Sequence, residues 1–412
     1  MTNPNASDRA AAQPHQALDL SLVSLPMAAV LAAQFLSALA DNAILIAAFA
    51  VDKANGTPQL DAWLQGAFFV PFILLAPFSG PIADSFPKGR VMLVANLLKL
   101  AGACAMAAGG NAVAAYALVG IGATMYSPAK YGILSQMFRP EYLVRANGML
   151  EGSTIAAILL GVLAGGKLAD VSIGLAFGGV IACYALATGA NLLIPRLPPE
   201  KVSASFAPGV LVPRFLHAVP QLVRDADARF SLLGTSIFWG SGTTLRLALF
   251  AWVPVALSIQ DNSTPATLMG VLSIGIVGGA ALAGIWISLA KVNRALLGAV
   301  LLGPLVVGMS TVHDMHMAYA VMAAIGICGG LFVVPLNALL QERGHETVGA
   351  GSALAVQNFF ENLTMLAFVG AYSAVRALGT DVSPTVAGFG LLLTFALGGI
   401  AAGRLRAPRA AA

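Results

Sequence analysis

Hydrophobic residues run along this chain in long blocks broken by short polar or turn-rich interruptions. Neither strict alternation nor an isolated amphipathic stripe dominates. Apolar windows long enough to cross a bilayer as helices, roughly 20 residues each, fall near 24–51, 62–83, 91–109, 112–134, 147–169, 172–194, 231–257, 267–290, 295–311, 317–340, 350–375 and 385–403. The third and fourth are divided only by "AAGGNA". One long connection, 196–230, is rich in Pro and charge and reads as a cytoplasmic linker, with "RFLHAVPQLVRD" as a candidate interfacial helix. The pattern predicts an all-α integral membrane protein of 12 transmembrane helices. Its expected organisation is a disordered cytoplasmic N-terminal tail (1–22), a six-helix bundle (23–195), the linker (196–230), a second six-helix bundle (231–404) and a short cytoplasmic tail (405–412).

Composition agrees: 58% of the 412 residues are hydrophobic and 10% charged, against roughly 25% charged in soluble domains. No secretory signal precedes the first apolar run, which reads as a retained span. A formal net charge of +4 is no nucleic-acid footprint. Lys and Arg divide sixteen to three between the two sides of the twelve-span pattern, with Lys99, Lys130 and Arg246 inside spans. The positive-inside rule then puts both termini and the linker in the cytoplasm. Cys104, Cys183 and Cys328 lie apart in apolar runs and read as buried small hydrophobes.

The two halves echo each other. "MYSPAKYGILSQM" in span 4 matches "FVVPLNALLQERG" in span 10, and "QFLSALADNAILI" in span 1 resembles "SIFWGSGTTLRLAL" in span 7. Such 6 + 6 symmetry marks many secondary transporters, whose sites lie near the midplane between repeats. A loop pattern G-x-x-x-D…G-R in "GPIADSFPKGR" supplies Gly80, Asp84, Gly89 and Arg90 as a candidate gating motif. It has Ser85 where a basic residue is usual.

Charges inside a bilayer are costly and mark function by default. Asp41 shares a face with Gln34 and Ser37, and Arg246 shares one with Ser236, Trp239 and Thr243. Counted from the cytoplasmic ends of their spans, both lie roughly 22 Å in. They are expected to meet across a central cavity, either as a fixed bridge or as a pair that a zwitterionic headgroup exchanges with. Lys130 and Glu151 are expected as a pair about 7 Å deep on adjacent antiparallel helices, bracing a hairpin or serving a gate. Asn358 and Glu361, with Gln357, Asn362, Asn337 and Gln341, form a polar cluster that is either site or helix–helix glue. The glycine-rich faces 161–166 and 275–284 read either as lateral openings or as close-packing surfaces. No nucleotide, hydrolase or metal motif is present, so no enzyme activity, cofactor or metal is expected; His313 and His316 read as solvated.

"AQFLSALADNAILIAAFA", "ANGMLEGSTIAAILLGVLAGG", "GTSIFWGSGTTLRLALFAWVPVAL" and "AVQNFFENLTML" resemble the bacterial lysophospholipid transporter family of the major facilitator superfamily. The resemblance implies an inner-membrane carrier that moves lysophosphatidylethanolamine and lysophosphatidylglycerol to the cytoplasmic leaflet by alternating access. An acyltransferase/acyl-carrier-protein synthetase would re-acylate them there. It also implies that Asp41, with Asn42 beside it, and Arg246 act in the substrate cavity, with Lys130, Glu151, Glu361 and Asn358 as further candidates. Two rivals remain: a drug–proton exporter with Asp41 as its proton site, and a membrane receptor or scaffold without transport.

Overall fold

The computed structural model describes residues 21–55, 60–201, 203, 205–259 and 263–406. The tails expected to be disordered lie largely outside these. The described residues form fourteen α-helices and one 3-10 turn, with no strand among them. The first half comprises α1 (Leu25–Asn55), α2 (Leu60–Leu74), α3 (Ala76–Ser85), α4 (Lys88–Ala107), α5 (Ala112–Met137), α6 (Pro140–Val171) and α7 (Ile173–Asn191). The linker contributes α8 (Pro208–Arg224), where the sequence suggested an interfacial helix. The second half comprises α9 (Ala226–Ala256), α10 (Ser263–Trp286), α11 (Leu296–Met309), α12 (Met315–Glu346), α13 (Ala350–Ala377) and α14 (Val382–Arg406).

Nine of these helices are long and apolar enough to cross a membrane, and α2 with α3 makes a tenth span bent by 67°. The break falls at Leu75, just before Pro77 in the first turn of α3, where a missing N–H is tolerated. α9 and α13, of 31 and 28 residues, complete the twelve; they carry the polar residues that lower their hydropathy.

Small residues set the helix spacing. A Cβ on Gly279 would meet the Ile327 carbonyl oxygen at 2.1 Å, and one on Gly326 would meet that of Leu272 at 2.1 Å. α10 and α12 therefore touch backbone to backbone. Gly161 stands likewise against Leu39 of α1. Both glycine faces thus pack closely at Gly161 and Gly165 and at Gly275 and Gly279 in this conformation, while Gly166 and Gly278 have open space beside them. The expectation for Cys104 is corrected: its side chain is exposed on α4. Cys183 is half-buried and Cys328 alone of the three is buried; a thiol is apolar enough to stand on an outward helix face.

Several helices start earlier than the hydropathy windows predicted. α6 begins at Pro140, with Pro in its first turn, and α9 at Ala226, where the Asp225 carboxylate accepts the Ala228 N–H at 2.7 Å. Polar first turns escape a hydropathy window but are what helix N-termini prefer. The depths inferred above change accordingly. Arg246 sits about one turn further along α9 than Asp41 along α1, and Glu151 lies three turns inside α6.

The halves meet along α6 against α10 and α13 against both α3 and α5. On the linker side they are latched. Asp84 accepts the backbone N–H of Gly351 at 2.8 Å and of Ser352 at 2.9 Å, plus the Ser352 hydroxyl at 2.8 Å. Lys88, buried, donates to Glu200 at 2.9 Å, and Glu200 also accepts the Ala350 N–H at 2.9 Å and contacts His345 Nδ1 at 2.9 Å. Burial favours the neutral Glu200 carboxyl, but these partners, His345 first, hold it down at about 2. Gly80 allows the approach: its Cβ would fall 2.6 Å from Ser352 Cα.

Candidate functional site

An open cavity of about 290 Å³ is walled mainly by the first half, with Arg246 entering from α9 of the second. It reaches Tyr116, within two turns of the far end of α5, while the latch shuts the linker side. Its walls differ in character. Phe68, Phe69 and Phe72 of α2, with Leu45 and Ile158, supply apolar lining; Gln34, Asp41, Asn42, Lys99, Lys130 and Arg246 supply polar and charged lining.

Asp41 is where the sequence expectation fails in detail. Its carboxylate is met by Lys99 Nζ at 2.7 Å and by the Tyr184 hydroxyl, which donates at 2.7 Å. It is not met by Arg246. Lys99 also donates to the Ser37 hydroxyl at 3.0 Å, and Ser37 donates to Asn96 at 2.7 Å. Ser37 and Asp41 are one turn apart on α1, and Asn96 and Lys99 one turn apart on α4, so the two pairs mesh. A partner within the same half wins because its ammonium needs no movement of the other bundle to reach the carboxylate. The signal was legible: an intramembrane lysine three residues after an asparagine.

Arg246 is exposed to the cavity and has no hydrogen bond or ion pair among the described residues. Lys130 likewise makes none there; its ammonium lies over the Tyr131 ring, 4.6 Å from the centroid. The expected Lys130–Glu151 ion pair is absent from this structure. Glu151, three turns into its helix, instead accepts from the Tyr131 hydroxyl at 2.5 Å and from Asn337 Nδ2 at 2.8 Å. The charged lining of the cavity is therefore Asp41 paired with Lys99, Lys130 within the field of Glu151 though not in contact with it, and Arg246, which has no ion pair among the described residues.

The second-half cluster lies beside this. Gln357 donates to both Asn337 and Glu361 at 2.7 Å, and Asn362 donates to the Asn358 carbonyl at 2.8 Å. Besides the Asn337–Glu151 bond, two further links of this cluster cross between halves: Asn358 with Ser127 at 3.0 Å, and Asn147 with Gln341 at 3.0 and 2.6 Å. Asn42 lines the cavity and donates to the Ala38 carbonyl at 2.8 Å. Asn358 and Glu361 are engaged in these hydrogen bonds and are absent from the cavity lining, though Asn358 bonds to Ser127, which lines it.

Of the candidate gating residues, Asp84 and Gly80 sit in the latch and Gly89 packs on Ile194 at the linker side. Arg90 is exposed and without a partner among the described residues. The cation beside Asp84 is Lys88, 3.8 Å away, because Pro87 starts α4 with Lys88 turned inward and Arg90 outward. Asp314, in the turn before α12, caps that helix, accepting the Met317 N–H at 2.9 Å.

Two latched six-helix halves around a polar cavity, shut at one face and open toward the other, define a carrier that alternates access to a central site. The family model of the Major Facilitator Superfamily matches residues 30–369. Lysophospholipid transporter LplT of Yersinia pestis (strain Pestoides F) and that of Yersinia pseudotuberculosis serotype O:3 (strain YPIII) are each 51% identical over 368 residues, covering 88% of this chain and 90% of theirs. Among solved structures, the human organic anion transporter MFSD10 (TETRAN) superposes with TM-score 0.71 at 16% identity, covering 90% of this chain and 99% of its own. An outward-facing bacterial homologue of the iron transporter ferroportin gives 0.70 at 13%, covering 93% and 98%. These last two carry the fold alone. The chain belongs to the Major Facilitator Superfamily and, within it, to the family of the lysophospholipid transporter LplT.

Proposed function

We propose that this chain carries lysophospholipids, lysophosphatidylethanolamine and lysophosphatidylglycerol, from the outer to the inner leaflet of a bacterial inner membrane by alternating access. What supports the reading is the cavity's mixed lining: Arg246, which makes no hydrogen bond or ion pair among the described residues, and Lys130, together with aromatic and aliphatic side chains of α1, α2 and α6. The Arg246 guanidinium suits a phosphate because its planar fork can bond two oxygens. Lys130 adds a second positive charge, the phenylalanines of α2 cover an acyl chain, and Asp41 with Asn42 receives the polar end of the headgroup. The similarity to LplT transporters supports the substrate class. A cationic drug is disfavoured, since Asp41 is the one carboxylate in the described lining and is already paired.

In this reading the linker and both termini face the cytoplasm, as the Lys/Arg asymmetry favours, and delivered lipid is re-acylated there by an acyltransferase/acyl-carrier-protein synthetase. Release requires the latch at Asp84 and Glu200 to part. The test follows labelled lysophosphatidylethanolamine added outside spheroplasts that lack their native uptake route but keep the acyltransferase. Conversion to diacyl lipid is expected with wild type, with at least a tenfold loss in Arg246→Ala at matched expression, which is about 1.4 kcal/mol of binding or barrier. No conversion above empty vector, with protein folded in the membrane, would overturn the reading.

A further inference from the structure

A second cavity, about 230 Å³, lies at the seam between α3 and α13 and is walled by linker helix α8. Pro77 and Pro81 line it from α3, Ser352 and Ala355 from α13, and Arg214 and His217 from α8. Its lining contains no carboxylate among the described residues. Arg214 spends one nitrogen on the Ser203 hydroxyl, at 2.8 Å; the rest of its fork is without a partner among the described residues, as is the exposed His217 ring. An open, carboxylate-free site with two nitrogen-donor side chains and an apolar floor takes an anion that has an apolar neighbour.

The helix itself says where that anion comes from. α8 packs Phe215, Ala218 and Leu222 on the ends of α9 and α13, and Leu211 on the same stripe is buried. It carries a second stripe that protein leaves uncovered: Val212, Leu216 and Val223 are exposed, Leu216 by 62%. Arg214, His217 and Gln221 lie on the opposite flank, at helical spacing. Phe206, two residues before α8, stacks on Phe86 at the end of α3, and both rings are substantially exposed. A doubly apolar helix with a basic flank and neighbouring exposed aromatics, level with the ends of membrane-spanning helices, is an interfacial helix. Basic pockets at that level hold lipid headgroups.

We propose that this cavity is a phospholipid site separate from the transport cavity, taking the phosphate of an anionic lipid of the linker-side leaflet against Arg214 and His217. The glycerol and first acyl carbons lie over Pro77, Pro81 and Phe215. Ser352 lines this site and also donates to Asp84 in the latch. The bound lipid therefore braces the closed linker side, making that leaflet's anionic lipid a regulator of the carrier. The inference rests on the membrane placement of the fold and is independent of which substrate is carried.

The test measures thermal unfolding of the purified protein in dodecyl maltoside with added dioleoylphosphatidylglycerol, dioleoylphosphatidylcholine or inorganic phosphate. At saturation the anionic lipid should raise the Tm of wild type by roughly 3 °C, the scale of ligand linkage in a chain of this size. Phosphatidylcholine should not. The shift should disappear in Arg214→Gln/His217→Gln and in Gln221→Trp, which plugs the cavity while keeping both donors, and should persist in Arg246→Gln. If the double variant fails to fold, the plugging variant decides. An unchanged shift in the plugged protein would overturn the proposal, as would a full shift from inorganic phosphate alone, which would make this a free-anion site. Loss of the shift in Arg246→Gln would also overturn it, assigning the effect to the transport cavity.

Discussion

Asp41 illustrates how membrane charges are managed at the scale of single residues. An isolated carboxylate in hydrocarbon costs at least about 2.5 kcal/mol, and Lys99 at 2.7 Å removes that cost. The pair is uneven: Lys99 is 2% exposed and Asp41 17%, so the ammonium depends on the carboxylate more than the reverse. Removing one partner of a buried pair costs on the order of 3 kcal/mol, whereas removing both is far cheaper; cavity water at Asp41 reduces the first figure. Asp41→Asn alone should therefore lower the Tm more than Asp41→Asn/Lys99→Gln does, as followed by thermal unfolding in detergent. An additive double variant would mean that the contact is incidental.

Among elements, the seam between α3 and α13 depends on one glycine. At Gly80 any Cβ would press on Ser352 Cα at 2.6 Å and the Gly351 carbonyl at 2.9 Å, both backbone atoms that cannot rotate away. Gly349, with φ of 107°, turns the chain so that the first N–H groups of α13 point at Asp84, a natural place for a carboxylate. Gly80→Ala should hold the linker side ajar. In a protein whose three native cysteines are replaced, a cysteine at Asn358 should then react several-fold faster with a maleimide applied from the linker side. Equal rates would show that the seam yields without opening. The central loop motif thus works through a glycine and a helix N-terminus as much as through any ion pair.

For the whole molecule, alternation requires the latch to be strong enough to close yet weak enough to part. Glu200 ties the linker to the first half through Lys88 and to the second through His345 and Ala350. Its carboxyl is held at about 2 against an ordinary 4.5. A depressed carboxyl contributes stability that is present above the ordinary value and lost as pH falls through the depressed one. The Tm gap between wild type and Glu200→Gln should therefore shrink between about pH 4.5 and 2, and should also narrow as pH rises above 6.5, where the His345 imidazolium that Glu200 stabilises is lost. A gap that closed as pH fell from 7 to 6 would assign the latch's titration to another group. Mild acidity, on this account, does not open the linker side through Glu200.

Much of this architecture was legible in the chain, because a bilayer leaves the backbone few choices: each span must satisfy its own hydrogen bonds. The helices, the linker and the special standing of Asp41, Lys130 and Arg246 follow from where apolar runs stop and where charges interrupt them. What the run of residues could not decide was which charge meets which. Helix starts such as Ala226 and Pro140 are polar and fall outside a hydropathy window, so depth counted from the window is wrong by a turn or more. Partner choice depends on such shifts, since a hydrogen bond fails within an ångström. Lys99 rather than Arg246 for Asp41, Asn337 rather than Lys130 for Glu151, and Lys88 rather than Arg90 beside Asp84 were settled only when the helices packed. The sequence supplied the charges and the spans; the packing assigned their partners, because contact distance depends on helix register and crossing, which no single span encodes.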